Sequence, residues 1–290
     1  KRNKQQTLLP LLFVEGEIHQ SSLYELNKSV HVQCFHDDPL EETRYRQDLY
    51  VQYKHPTAII ACIDLCDPNV ETVIQQHQKL SSQFRGVRHC LDYHPKYKNR
   101  QLVRRFDVLM SPEFHHGLRY EFPSILFFHK VRIIIIFFFM TKKKKRSLDK
   151  HGLIFEMQIY PCQMTCAAVV AAAYPKLKIV INHCGFPLEE DMDIWKQGIA
   201  LLSKCKNVYI KMSGGGKIAV FGIDNFGVDR VMFASDFPVD KIHGDYDMYW
   251  HMYISMLVKN HFDQAQIQKM VHSNAIHFYQ LNGRSSKSKL

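Results

Sequence analysis

The sequence predicts an α/β fold built on a parallel sheet, and three observations carry that prediction. Short runs rich in Val, Ile and Phe recur along the chain, and stretches of helical periodicity separate them. Most run starts lie roughly 25 residues apart, the length of a βα unit with short loops. Seven runs are visible, at residues 30–34, 58–65, 84–89, 154–160, 179–184, 208–212 and 231–235. An eighth, placed before residue 1 or within residues 7–14, would close a (β/α)8 barrel. A doubly wound open sheet satisfies the same alternation.

The connecting helices follow from local chemistry. Pro39-Leu40-Glu41-Glu42-Thr43-Arg44 opens a helix between the first two runs, and Asp67-Pro68-Asn69-Val70-Glu71 supplies an N-cap with Pro in the first turn before the third. Further helices are expected at residues 167–173, about 191–204, about 249–258 and 263–279. One stretch, residues 121–147, breaks the rhythm. It holds Ile133-Ile134-Ile135-Ile136-Phe137-Phe138-Phe139-Met140 and then the basic run from Lys142 to Arg146. Its apolar stretch falls well short of the roughly 20 residues of a membrane-spanning helix. It reads as an insertion foreign to the domain, the alternative being an interfacial anchor with a basic flank.

At 290 residues the chain is long enough for one large barrel, and residues 1–290 read as a single domain carrying that insertion. The net charge of +10 sits partly in the 142–146 run and in tail residues such as Arg284, Lys287 and Lys289. No Arg/Gly tract, zinc-finger spacing or RNP-like motif accompanies it, so the expected partner is a small anionic molecule, with no nucleic acid and no membrane. The eight cysteines form no CxxC pair and read as reduced packing residues of a cytoplasmic protein. The chain opens without Met or a signal-peptide pattern, and an N-terminal truncation is expected.

Polar residues end several of the apolar runs, and in a barrel that is where chemistry is placed. Asp236 closes Val231-Met232-Phe233-Ala234-Ser235 and is cut off by Pro238; it reads as a general base or metal ligand, against a helix cap. His183 in Asn182-His183-Cys184-Gly185-Phe186-Pro187 suits metal binding, carbonyl polarisation or proton transfer. Arg88 suits a substrate carboxylate, or an ion pair with Asp64. Gln158 and Tyr160 share a face with Glu156, and Gln33 ends the first run as a weaker case. Lys211 and Ser213 share a face too, the lysine suited to pairing with a carboxylate. Gly214-Gly215-Gly216 has no phosphate-loop spacing, and neither GxSxG nor HExxH occurs.

Several motifs stand in order over most of residues 28–281. They include Ser29-Val30-His31-Val32-Gln33, Phe84-Arg85-Gly86-Val87-Arg88-His89, Phe155-Glu156-Met157-Gln158-Ile159-Tyr160-Pro161, Ile181-Asn182-His183-Cys184-Gly185-Phe186-Pro187, Arg230-Val231-Met232-Phe233-Ala234-Ser235-Asp236-Phe237-Pro238 and Ser273-Asn274-Ala275-Ile276-His277-Phe278-Tyr279. As a set they resemble the amidohydrolase-related, metal-dependent-hydrolase-like TIM barrels, in the branch of the lactone hydrolases. The resemblance implies a (β/α)8 barrel, here lacking its first strand. It also implies hydrolysis of a small carboxylated or sugar lactone, water being activated by Asp236 and the carbonyl polarised by His183.

The same resemblance assigns Arg88 and Tyr160 to substrate, with Gln158 and Gln33 beside them. It implies one divalent metal on His183 and Asp236, zinc first, or metal-independent catalysis. Three departures accompany it: no His-x-His strand occurs, residues 121–147 interrupt the pattern, and only 16 residues, 214–229, join the last two runs. The alternatives are a metal-dependent decarboxylase of the same fold and a catalytically impaired barrel that acts as a binding protein.

Overall fold

The computed structural model describes residues 27–118, 148–213 and 216–282. The expected insertion at 121–147 and the 7–14 segment lie outside the described residues. Each of the seven predicted runs coincides with one strand, the third extending one residue past its run: β1 (Val30–Val32), β2 (Ala58–Cys62), β3 (Phe84–Cys90), β4 (Ile154–Gln158), β5 (Ile179–Ile181), β6 (Val208–Met212) and β7 (Val231–Phe233). They pair in chain order, every pair parallel, as a curled sheet with the topology of an incomplete barrel. Among the described residues β1 and β7 each pair on one side only.

Most predicted runs overshoot at their C-terminal ends, and the cause is conformational. The fifth run stops at Ile181 because His183, Cys184 and Phe186 take left-handed backbone angles that no strand can hold. The seventh stops at Phe233, short of Asp236 at φ 55°.

The helices are α1 (Pro39–Tyr53), α2 (Val70–Leu80), α3 (Pro112–Leu118), α4 (Leu148–His151), α5 (Met164–Ala173), α6 (Met192–Leu202), α7 (Gly216–Phe226), α8 (Tyr246–Lys259), α9 (Gln264–Gln268) and α10 (Asn274–Tyr279). Asp38 caps α1, its Oδ1 accepting from the backbone N–H of Leu40 at 2.8 Å and of Glu41 at 3.2 Å. The single helix expected over 263–279 is α9 and α10 joined by a π turn, Lys269–Ser273. The short connection between β6 and β7 still holds an 11-residue helix, α7.

Alternation along the strands sorts side chains into two cores. Phe155, Met157, Ile179, Ile181, Val231 and Phe233 pack under the helices. Ala58, Ile60, Ile154, Val180 and Met232 face the other way, into the interior, where Phe278, Tyr279 and Leu281 fill the space between them. Glu156 belongs to this inward row. Fully buried, it accepts hydrogen bonds from Lys211 Nζ at 2.5 Å, Asn182 Nδ2 at 2.7 Å and the Tyr279 hydroxyl at 2.7 Å. Burial pushes this carboxyl up, but Lys211 and the two hydrogen bonds outweigh it and hold Glu156 below the usual range. Lys211 therefore has its carboxylate partner in the interior.

All eight cysteines are free thiols. No helix among the described residues is long and apolar enough to cross a membrane.

Candidate active site

The C-terminal ends of β4, β5, β6 and β7 surround a cleft of about 400 Å³. Tyr160, His183, Ser213 and Asp236 stand on its wall, joined by Arg100 and Asp240, with Phe186, Pro187, Leu188 and Ile218 as the apolar part.

A tight turn aims His183. His183, Cys184, Gly185 and Phe186 all have positive φ, a run that is costly for side-chain-bearing residues. Two backbone bonds close the turn, Gly185 N–H to Asn182 C=O at 2.8 Å and Phe186 N–H to His183 C=O at 2.9 Å. The buried Trp195 indole pins it by donating to the Cys184 carbonyl at 2.6 Å. Glycine suits position 185, where φ is 73° and a Cβ would lie 2.1 Å from Met164 Cε unless that side chain moved. The turn lays Phe186 between two rings, 4.9 Å from His183 and 5.1 Å from Tyr160, both stacked.

His183 Nδ1 is 2.9 Å from Ser213 Oγ and 3.4 Å from Asp236 Oδ2. No hydrogen bond among the described residues engages its Nε2. Burial, reinforced by Lys211 and Arg88, drives the imidazole down to about 3, so it is neutral at physiological pH. Asp236 moves the other way. Burial, with Asp240 beside it, lifts its carboxyl to about 6 against the pull of Lys211 and Arg88. Among the described residues no donor lies within hydrogen-bonding reach of that carboxylate, and 3.4 Å to His183 is long for a charge-assisted bond. Asp236 caps nothing; the contact to the following turn is made by its carbonyl, which accepts from Asp240 N–H at 3.1 Å.

The other residues singled out in the sequence stand in two groups off this wall. Gln158, in β4, donates to Asp92 Oδ2 at 2.6 Å, and burial raises Asp92 to about 6. Arg88 donates to the Gln33 carbonyl and lies 5.7 Å over the Phe35 ring. The Gln33 side chain donates to Cys90 Sγ at 3.2 Å and accepts from Phe35 N–H at 2.7 Å. Asp64 faces His89 at 3.4 Å and does not pair with Arg88.

Sequence reasoning missed Arg100, Asp240 and Phe186. Arg100 is the last residue of a one-turn helix, Lys98–Arg100, in a stretch with neither strand nor helix periodicity, so nothing local marked it. The positive φ of Phe186 comes from tertiary packing and leaves no sequence trace beyond the neighbouring Gly185.

His183 and Asp236 offer one nitrogen and one oxygen donor, the kinds that zinc or manganese accepts, but a catalytic zinc takes three protein ligands. The described residues therefore do not complete a metal site on the cleft wall. Two donor trios lie off it, His31–Cys34–Glu42 and Asp64–Cys66–His89. In the first, Glu42 is already engaged by His31 at 2.9 Å and Cys34 N–H at 2.8 Å, with the buried Arg46 cation beside it. In the second, His89 Nδ1 accepts from Leu65 N–H, which leaves the proton on the Nε2 that faces Asp64.

A family model described as amidohydrolase matches residues 36–281. An uncharacterized protein y4mH of Sinorhizobium fredii is 26% identical over 284 residues, 92% of this chain and 85% of the relative. An L-fucono-1,5-lactonase of Burkholderia ambifaria is 25% identical over 149 residues, 46% of this chain and 51% of the relative.

Among solved structures, a zinc-bound amidohydrolase from Burkholderia multivorans superposes with a TM-score of 0.67 at 18% identity, covering 95% of this chain and 87% of its own. A probable 2-pyrone-4,6-dicarboxylic acid hydrolase from Acinetobacter baumannii, with citric acid bound, gives 0.57 at 15%, covering 95% and 88%. A manganese-bound dihydroxybenzoic acid decarboxylase from Polaromonas gives 0.53 at 15%, covering 87% and 77%. At these identities the structural likeness is one of fold.

Proposed function

This chain belongs to the amidohydrolase family, and from that premise we propose that it hydrolyses a small carboxylated or sugar lactone, with Asp236 activating water and His183 polarising the carbonyl. One observation carries the reading. Among the described residues, an Asp236 carboxylate with no hydrogen-bond donor shares the cleft wall with a neutral His183 whose Nε2 is unengaged.

In this reading the Ser213 hydroxyl, 2.9 Å from His183 Nδ1, donates to that nitrogen and the imidazole proton stands on Nε2. That N–H donates to the lactone carbonyl and strengthens as negative charge gathers on the oxygen. Asp236, raised to about 6, is mostly ionised at neutral pH yet basic enough to take a proton from water. The hydroxide so formed adds to the carbonyl carbon. Collapse of the tetrahedral intermediate breaks the ring C–O bond, and the proton on Asp236 passes to the departing alkoxide. Water is thereby added across the ester with no further reactant.

Arg100 is the cation on the cleft wall suited to an anionic substituent, whereas Arg88 is engaged with the Gln33 carbonyl. Tyr160 and Phe186 give the ring of the substrate a flat surface. Gln158 and Gln33 support that wall from behind through Asp92 and Arg88. His183 and Asp236 would give a divalent metal two donors, one short of the three protein ligands of a catalytic zinc, so the described residues of the cleft wall do not by themselves hold one. No step above is routed through a metal.

The test is a pH-stat assay over a panel of sugar lactones and pyrone carboxylates. Asp236→Asn and His183→Gln should each lower kcat/KM about a thousandfold. Wild-type turnover in Asp236→Asn would overturn the assignment. Carbon dioxide release from aromatic acids, with no lactone opened, would establish a decarboxylase instead.

A further inference from the structure

The loop that follows β3 carries Arg100 to the cleft, and its hydrogen bonds fall into two sets. At its base it is held by Gln163, whose Oε1 accepts from Tyr93 N–H at 3.1 Å and whose Nε2 donates to the Leu91 carbonyl at 2.7 Å. At its tip it is held by the loop after β5. His94 Nε2 lies 2.6 Å from Asp191 Oδ2, and the Tyr97 hydroxyl donates to Glu190.

His94 is the centre of the second set. It is only 1% exposed. Its Nδ1 accepts from Lys96 N–H at 3.2 Å, so Nε2 carries the proton and donates it to the Asp191 carboxylate. Its carbonyl accepts from Gln101 Nε2 at 2.6 Å, which ties down the residue next to Arg100. Its ring meets Tyr160 edge-on at 5.5 Å and Tyr97 at 4.7 Å, and Arg100 lies 5.1 Å over the outer face of Tyr97. Two cleft groups, Arg100 and Tyr160, thus take their positions from one buried histidine, and that histidine takes its own from an acid on a different loop.

We propose that His94 and Asp191 are positioning residues for substrate binding, a clamp between the β3 and β5 loops that sets Arg100 and Tyr160 against the anionic side of the substrate. The chemical groups His183, Ser213 and Asp236 follow the β5, β6 and β7 ends and make no hydrogen bond to His94 or Asp191, the nearest link being the stacking of Phe186 between Tyr160 and His183. Loosening the clamp therefore weakens binding and leaves the bond-breaking step nearly intact. This inference rests on the hydrolytic reading of the cleft for its kinetic consequence, though not for the clamp itself.

Two measurements on Asp191→Asn test it. Amide hydrogen exchange over residues 94–101 should quicken about tenfold, with β4 and β5 unchanged. On a carboxylated lactone KM should rise about tenfold while kcat stays within about threefold, a split that general loss of fold does not produce. In an Arg100→Ala background the same substitution should add little further to KM. Asp191→Glu should recover part of the loss. Unchanged exchange, a fall in kcat at constant KM, or full additivity with Arg100→Ala would each overturn the clamp. Absence of any lactone hydrolysis by the wild-type chain would sink the proposed function alone, because exchange still reads the clamp.

Discussion

His183 and Asp236 stand 3.4 Å apart on one cleft wall and are displaced in opposite directions, the histidine down to about 3 and the acid up to about 6. At neutral pH one is neutral and the other is an anion without a hydrogen-bond donor among the described residues. The proposed attack of water on a carbonyl requires that division of labour.

The pH dependence follows with a definite sign. Asp236 must be ionised to accept a proton, so kcat/KM should rise along a single limb with an apparent pKa near 6. His183 contributes no limb above about pH 4, because it is already neutral there. The same raised pKa makes the native state bind the Asp236 proton more tightly than the unfolded chain does. Stability from this group is thus present at low pH and lost as pH rises from about 4 to about 6. Asp236→Asn should therefore raise stability at pH 7.5 by about 1–3 kcal/mol in urea melts while abolishing activity.

Ser213→Ala removes the hydroxyl 2.9 Å from His183 Nδ1 that sets the tautomer in the proposed mechanism. A fall in kcat of about tenfold is expected, with KM little changed. Unaltered kcat in steady-state assays would detach Ser213 from the chemistry.

The two arginines should separate cleanly. Arg100→Ala should raise KM for a carboxylated lactone and leave the melting temperature alone, since its guanidinium lies on the cleft wall over the outer face of Tyr97. Arg88→Ala strips the Gln33 carbonyl of a buried donor and should cost about 1–3 kcal/mol of stability in chemical denaturation.

Lys211→Met leaves Glu156 charged and buried without its cation, and should destabilise by about 3–5 kcal/mol. Adding Glu156→Gln should recover most of that loss. An additive double variant in urea titrations would mean that the two groups are not coupled.

Much of the architecture is legible in the chain because parallel strands buried on both faces write long apolar runs. The inward row of Glu156 and Gln158 was visible from period two alone. The ends of the runs were not, because the left-handed turn from His183 to Phe186 is held by a contact from another element, the Trp195 indole on the Cys184 carbonyl. The same holds for the site. Asp236, His183 and Tyr160 stand at or just past the ends of apolar runs, two or three residues beyond the strands themselves, and so announce themselves. Arg100 is brought in by a loop whose shape depends on Asp191, ninety-one positions further along, and no local pattern encodes such a contact. Arg88 shows a contact the strand-end position does not encode: its guanidinium donates to the Gln33 carbonyl just beyond β1.

The packing of Phe278, Tyr279 and Leu281 against the inward faces of β2, β4, β5 and β7 has a consequence for synthesis. The interior row laid down from Ala58 onward stays open to water until the last helix leaves the ribosome, and Glu156 waits equally long for the Tyr279 hydroxyl. Closure of the interior is thus a late event that joins distant parts of the chain. A nascent chain stopped a few residues early would carry a nearly finished sheet with an unsealed hydrophobic floor, a species for chaperones or proteases to handle.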